Sequence, residues 1–316
     1  MDILSLWFIP VIIRVVIIDT FGPWLRKAKI INTNNVSFRK RFALHYFFAF
    51  MLALGAATIT QSSIVSLTTM IIFLVGIFNG YGAFCQWRAD QFALSTGALF
   101  AFTDDFIAMT LGYMILHEAK FLNPGLGAGL ALCISAAILF AVYNYYQKKN
   151  KKEHLPFAFF RNVLSYTIIW GFATFLMRYF ALEKISIGTF VFGWYGGAFF
   201  TAIVIFSLYA FGIIRDKEEG QKRNANEHPV LSRKKTIGMT FLAGALIFLN
   251  IVCTYWAFSL APLTVIKPLF FVSLMVMPAL VGLIYFKEYD RFKGFQKMFF
   301  LQAVAGGVLI ALSFHS

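Results

Sequence analysis

Charge is what this chain has least of. Charged residues fill 13% of its 316 positions and apolar residues 59%, against roughly 25% charged in a soluble domain. That shortfall excludes a large soluble core, because the polar surface needed to coat one is missing. Cysteine is nearly absent too. Cys85, Cys133 and Cys253 fall in apolar stretches without CxxC spacing or nearby His pairs, so they read as small buried apolar residues and not as disulfides or ligands. The five histidines, His45, His117, His154, His228 and His315, make no ligand spacing with one another, with Cys or with an acid. His117 adjoins an acid at a span end, Glu118, and that pair reads as interfacial. Nucleophile motifs, Walker loops and Rossmann glycine patterns are missing. The chain is therefore not expected to be an enzyme, and neither a cofactor nor a metal is expected. The start, Met1-Asp2, lacks a basic n-region and Arg14 interrupts the first apolar run, so no cleavable signal peptide is expected.

What is present is apolar length. Aromatic residues reach 18%, with 39 Phe, which suits helices that face lipid and each other. Mean hydropathy is +0.73. Ten spans can be read, at about 3–21, 42–60, 65–87, 94–116, 124–146, 158–180, 187–212, 237–260, 264–286 and 296–314. Each has the length of a tilted membrane helix. The fold class expected is thus an all-α integral membrane protein. The run Lys148 to Pro156 (KKNKKEHLP) divides it into a first repeat, 1–147, a basic linker, 148–157, and a second repeat, 158–316. Ile214 to Lys235 is the one long polar loop.

The net charge of +14 does not point to nucleic acid, because 22 of the 28 cations crowd the loops after spans one, three, five, seven and nine. The opposite loops hold only Lys120 and Lys184. By the positive-inside rule both termini lie outside, in a plasma membrane (the inner membrane of a bacterium). Five spans per half is an odd number, so the second half runs inverted relative to the first. Inverted repeats place a substrate site near the midplane where the halves meet. Spacing supports the duplication. Trp87 precedes Glu118 by 31 residues and Trp256 precedes Glu288 by 32, with Gly112 and Gly282 each six residues before the acid. Trp7 and Arg14, seven apart, echo Trp170 and Arg178, eight apart.

The segment YWAFSLAPLTVIKPLFFVSLMVMPALVGLIYFKE, followed by the Gly306-Gly307 helix, resembles the second EamA-type repeat of the drug/metabolite transporter superfamily. QWRADQFALSTGALFAFTDDFIAMTLGYMILHE is a looser version in the first half. The resemblance covers essentially the whole chain. It implies ten helices in two inverted halves around a central cavity, moving small polar metabolites, often with proton coupling. Many relatives keep both termini in the cytoplasm, the reverse of what the loop charges say here.

The chemistry-bearing residues centre on Asp104 and Asp105, in the apolar stretch Leu94 to Leu116. A carboxylate at bilayer depth costs roughly 2.5–3.5 kcal/mol, so two in succession call for a role, and proton coupling is the one assigned here. Successive helical residues point about 100° apart. Asp105 belongs to a small-residue row with Gly97, Ala101, Ala108 and Gly112, and Asp104 to the face of Phe100, Ile107 and Leu111. Their counterparts Leu274 and Met275 are apolar. The alternative is an aspartate paired with a buried arginine or capping an interrupted helix. Lys267, before Pro268, is a substrate candidate or counter-ion, with snorkelling as the alternative. Asn79, Tyr81, Gln86, Trp87, Trp170 and Tyr195 are further substrate-contact candidates. Glycines beside Asn79 and Tyr81 suggest unwinding or close helix approach. Arg14 and Arg178 are candidate buried counter-charges, Arg14 for the aspartates. The partners expected are a small-molecule substrate, protons and lipid, with the chain a monomer or homodimer and no nucleic acid bound. Rival readings are a cation channel of the Mg²⁺-permeating kind and a membrane scaffold that moves nothing.

Overall fold

The computed structural model describes residues 6–19, 21, 37–97, 103–149, 157–212, 233–270, 272–273 and 294–313. Within these the chain is helical, without a strand. The helices are α1 (Phe8–Arg14, running on as one π-helical turn Val15–Asp19), α2 (Phe38–Ile59), α3 (Leu67–Gly97), α4 (Thr103–Ile115), α5 (Pro124–Lys149) and α6 (Phe157–Leu182). Then come α7 (Ile187–Ala210), α8 (Arg233–Leu260), α9 (263–270) and α10 (Gly294–Ser313). Pro278, Gly282 and Glu288, most of the linker 148–157, most of the loop 214–235, and His154, His228 and His315 lie outside the described residues.

Among the described residues five helices are long and apolar enough to cross a membrane: Phe38–Ile59, Leu67–Gln91, Phe157–Leu182, Ile187–Ala210 and Arg233–Leu260. Pro124–Ala136 and Met298–Ser313 are shorter apolar helices. Their outward side chains are apolar, with Met70 65%, Leu164 62% and Leu301 65% exposed. In water that would be a liability; against lipid it costs nothing. These are the features of a membrane protein.

Two boundaries differ from those read in the sequence. Helix α3 does not stop at Trp87 but continues to Gly97. Arg88, Ala89 and Gln91 favour a helix, and no Gly or Pro intervenes to break it. The glycines near Asn79 and Tyr81 therefore do not unwind the third span. Asp104 and Asp105 fall in the first turn of the 13-residue α4, not at the middle of one helix from 94 to 116; residues 98–102 between α3 and α4 lie outside the described set. Arg39, Lys40, Arg41 and Arg88, counted above as loop cations, sit inside α2 and α3, and Arg41 is buried.

The chain forms two compact units. One draws on Met1–Pro23, Arg88–Ile185 and Val252–Ser316, the other on Trp24–Trp87 and Ser186–Ile251. Each takes helices from both halves of the sequence. In the second unit α2 packs on α7. Ser37 and Ser186 cap the starts of these helices by accepting from Lys40 N and Thr189 N, which satisfies a backbone donor left open at a helix start. Ser62, just past α2, bonds Ser186, just before α7, at 2.8 Å. The end of one helix thus meets the start of the other, so the two run antiparallel. Against α3, helix α7 presents glycine: a Cβ on Gly197 would stand 2.0 Å from the Phe73 carbonyl oxygen. An aromatic cluster of Phe38, Phe42, Phe84 and Trp87 fills the interior, Phe42 meeting Trp87 edge-on at 5.1 Å.

In the first unit α5 packs on α10 and α4 on α6. Asn123, before α5, donates to the carbonyl of Ser313, the end of α10, at 2.8 Å, so this pair is antiparallel too. Gly129 and Gly306 face each other there, and a Cβ on either would come within 2.9 Å of the other's carbonyl oxygen. The end of α4 meets the start of α9, where Leu263 lies against Gly112.

Candidate functional site

The first unit holds charged side chains among apolar helices. Asp105 and Lys267 form an ion pair at 2.5 Å between α4 and α9, with side chains only 8% and 11% exposed. A buried pair of this kind compensates two desolvation costs that neither residue could bear alone. Asp104, also buried, projects from the next position. Among the described residues its Oδ1 has no hydrogen-bond partner. Lys267 from α9 and Arg14 from α1 both lie within Coulombic reach of it. The expected separation of the two aspartates by helical pitch holds. Asp105 faces α9, whereas Ile107 and the Asp104 carbonyl meet α6 at Gly171, where a Cβ would stand 2.5 Å from Ile107.

Around this pair α1 and α9 add more polar groups. The Arg14 guanidinium lies over the Phe270 ring, 3.6 Å from its centroid, a cation–π contact that partly offsets its desolvation. Asp19, at the end of the π-helical turn, accepts a hydrogen bond from Ser273 and is 1% exposed. The cation that pairs with the aspartates is thus Lys267, through Asp105, with Arg14 near Asp104.

A second ion pair lies at the other end of α4. Arg178 on α6 donates through Nε to Glu118 at 2.9 Å and through Nη1 to the carbonyl of Phe258 near the end of α8. Arg178 is 5% exposed and Glu118 1%. Glu118 is therefore an interior residue, not an interfacial one. His117 turns the chain inward by adopting φ 53°, a left-handed conformation costly for a residue with a Cβ. Arg178 is a buried counter-charge, but to Glu118. Tyr255 ties the same end of the unit, donating to the carbonyls of Ile185 at 2.7 Å and Phe180 at 3.1 Å.

Of the remaining candidates, Trp170 is in this unit, its ring 5.5 Å from that of Tyr166 and its Nε1 buried without an acceptor among the described residues. The others belong to the second unit. Asn79 and Trp87 are buried, Gln86 is half-buried and Tyr81 is 48% exposed. Tyr195 is fully buried and its hydroxyl donates to the Ile247 carbonyl at 2.6 Å, which fastens α7 to α8. Gly80 packs against Ala198 and Thr201 on α7, close helix approach and not a kink. Cys85, Cys133 and Cys253 are buried thiols. Among the described residues no three His, Cys, Asp or Glu side chains are placed to hold a metal ion.

Asp19, Glu118 and Ser273 were missed in the sequence. Asp19 and Glu118 stand at or near the end of an apolar run, where an acid reads as interfacial, and Ser273 is a lone serine inside one. The one available signal was the repeat itself, which already singled out Glu118 by its distance from Trp87.

No family profile and no curated protein matches the chain. It is similar to a solved structure described only as a crystal structure of a protein, at 13% identity and a TM-score of 0.67. The match covers 98% of this chain and 97% of the other. At that identity the likeness establishes a shared fold alone.

Proposed function

We propose that the chain is a secondary active transporter of the EamA type. Its ten helices form two inverted five-helix repeats and move a small polar metabolite by alternating access, coupled to protons at Asp104 and Asp105. The observation that carries this reading is the charge cluster: Asp105 held by Lys267, with Asp104 beside it keeping one buried carboxylate oxygen unpartnered among the described residues. Intramembrane acids are retained where a protein moves ions or substrates. A scaffold needs no such group.

The inverted arrangement draws support from which helices pair. Under the proposed duplication α2 corresponds to α7, α4 to α9 and α5 to α10. All three pairs are neighbours, and in each the end of one meets the start of the other. A two-fold axis in the membrane plane requires that antiparallel relation. The serine caps of α2 and α7 recur at matching places, Ser37 and Ser186. Lys267 and Trp170 are the substrate-contact candidates in the unit that holds the aspartates; Asn79, Tyr81, Gln86, Trp87 and Tyr195 are those of the other. By loop charge the termini face outward from a plasma membrane.

The test is transient current from purified protein in proteoliposomes on a solid support. Cationic, zwitterionic and anionic metabolite pools are applied with and without a pH gradient, beside Asp104→Asn/Asp105→Asn. A saturable, pH-dependent current with one pool, lost in the double variant, is the expected result. Current that never saturates and follows added Mg²⁺ would instead mark a channel. Silence toward every pool, in current and in tracer uptake by folded protein, would leave a scaffold.

A further inference from the structure

We infer that Tyr113, Thr264 and Glu118 form a second polar site, at the far end of α4 from the aspartates, and that it binds one neutral hydroxyl group, carried by water or by an alcohol. Nothing in the transport reading requires it. Glu118 is 1% exposed; Arg178 engages its Oε1, and among the described residues its Oε2 has no partner. Thr264, in the first turn of α9, is 0% exposed, and its Oγ1 likewise has no partner there. The buried hydroxyl of Tyr113 on α4 is the third such atom. The three converge beside Gly112. A Cβ on that glycine would stand 3.3 Å from Glu118 Oε2 and 3.2 Å from Leu263, the residue before Thr264. Tyr113 lies within Coulombic reach of Glu118 and against the Thr264 hydroxyl, but the two hydroxyls are not aligned for a direct bond.

Counting donors and acceptors selects the ligand. Tyr113 and Thr264 each offer one O–H, whereas Glu118 Oε2 offers only lone pairs. A hydroxyl oxygen accepts from both O–H groups and donates its own hydrogen to the carboxylate, so one atom meets all three. A carbonyl oxygen accepts twice but leaves Oε2 without a donor. An ammonium donates to the three oxygens, leaves both O–H groups without an acceptor, and brings a cation beside Arg178. A carboxylate or phosphate meets the Glu118 charge in a poorly screened interior. Any group left unmet keeps its desolvation cost. Tyr113, Glu118 and Thr264 belong to α4, the turn after it and α9. A single bound oxygen therefore ties together the two helices that the Asp105–Lys267 pair joins elsewhere.

The experiment is radiolytic footprinting of purified full-length protein in detergent. X-rays turn water into hydroxyl radicals, a bound water labels the side chain beside it, and peptide mass spectrometry locates the added oxygen. Tyr195, fully buried with its hydroxyl on the Ile247 carbonyl, is the dry reference, and Phe211, 79% exposed, is the bulk one. Tyr113 should label severalfold faster than Tyr195. Thr264→Val keeps the shape and removes the hydroxyl. It should bring Tyr113 down to the Tyr195 rate and, in SDS titration, weaken the folding equilibrium about fivefold. Thr264→Ser should restore both. Erythritol, the alcohol probe, scavenges radicals in bulk solvent. A fall in Tyr113 labelling no greater than that of Phe211 assigns the site to water; a steeper, saturable fall assigns it to an alcohol. Tyr113 labelling no faster than Tyr195, labelling unchanged by Thr264→Val, or folding strengthened by that substitution would each overturn the inference.

Discussion

The Arg178–Glu118 pair offers the sharpest test of how this bundle is held together. One guanidinium binds three segments: α6, which carries it, the turn after α4 through Glu118 at 2.9 Å, and the end of α8 through the Phe258 carbonyl. At exposures of 5% and 1% the two charges are screened mainly by each other. At about 4 Å and an effective dielectric of about 20 their attraction is worth about 4 kcal/mol. Removing one partner strands the other, which costs about 3–5 kcal/mol. Replacing both with apolar side chains removes the attraction and the desolvation together. We therefore expect Glu118→Met and Arg178→Met each to lower stability by about 3–5 kcal/mol. The double variant should lose less than either single, about 1–3 kcal/mol, mainly for the Phe258 carbonyl left without its donor. The assay is reversible unfolding in mixed micelles by SDS titration, with all four proteins compared as a double-mutant cycle. If the two single losses sum to the double within about 0.5 kcal/mol, the residues are uncoupled and the reasoning fails.

Two further outcomes follow from contacts in the second unit. Gly197→Ala places a methyl 2.0 Å from the Phe73 carbonyl oxygen and 2.6 Å from Ile77 N, so α7 must move off α3 at a cost of about 1–3 kcal/mol. Gly55→Ala on α2, with nothing within 4 Å, should instead stabilise by about 0.5–1 kcal/mol; thermal unfolding of the two variants in one detergent separates these signs. Ser37→Ala and Ser186→Ala should each cost about 0.5–2 kcal/mol as lost helix caps. Ser186→Ala should be the larger, because Ser186 also bonds Ser62 at 2.8 Å; equal losses in SDS titration would mean that this second bond contributes nothing.

The helices were largely legible in the sequence because lipid imposes a crude rule: backbone groups must bond within their own segment, so a span is a long apolar run. Phe38–Ile59 and Ile187–Ala210 show how closely that rule locates a helix. It located α3 less well, since Arg88 and Asp90 read as a loop although both lie in the helix. A charge at the end of a run carries no mark of whether it faces water or protein. The same blindness hid Glu118, and it placed the two aspartates at mid-span when they belong to the first turn of α4.

The sequence by itself determined the class of molecule, an apolar helical membrane chain with acids where acids are costly, because composition and run length are properties of the chain alone. It also singled out Asp104, Asp105, Lys267, Arg14 and Arg178 as charges that require partners. Which charge meets which was decided only by tertiary structure: Lys267 lies 162 positions from Asp105 and Arg178 lies 60 from Glu118. The physical reason is that desolvation is a local cost and pairing a spatial remedy. Sequence reveals the cost at each residue, but only the crossing of helices brings the compensating charge within reach.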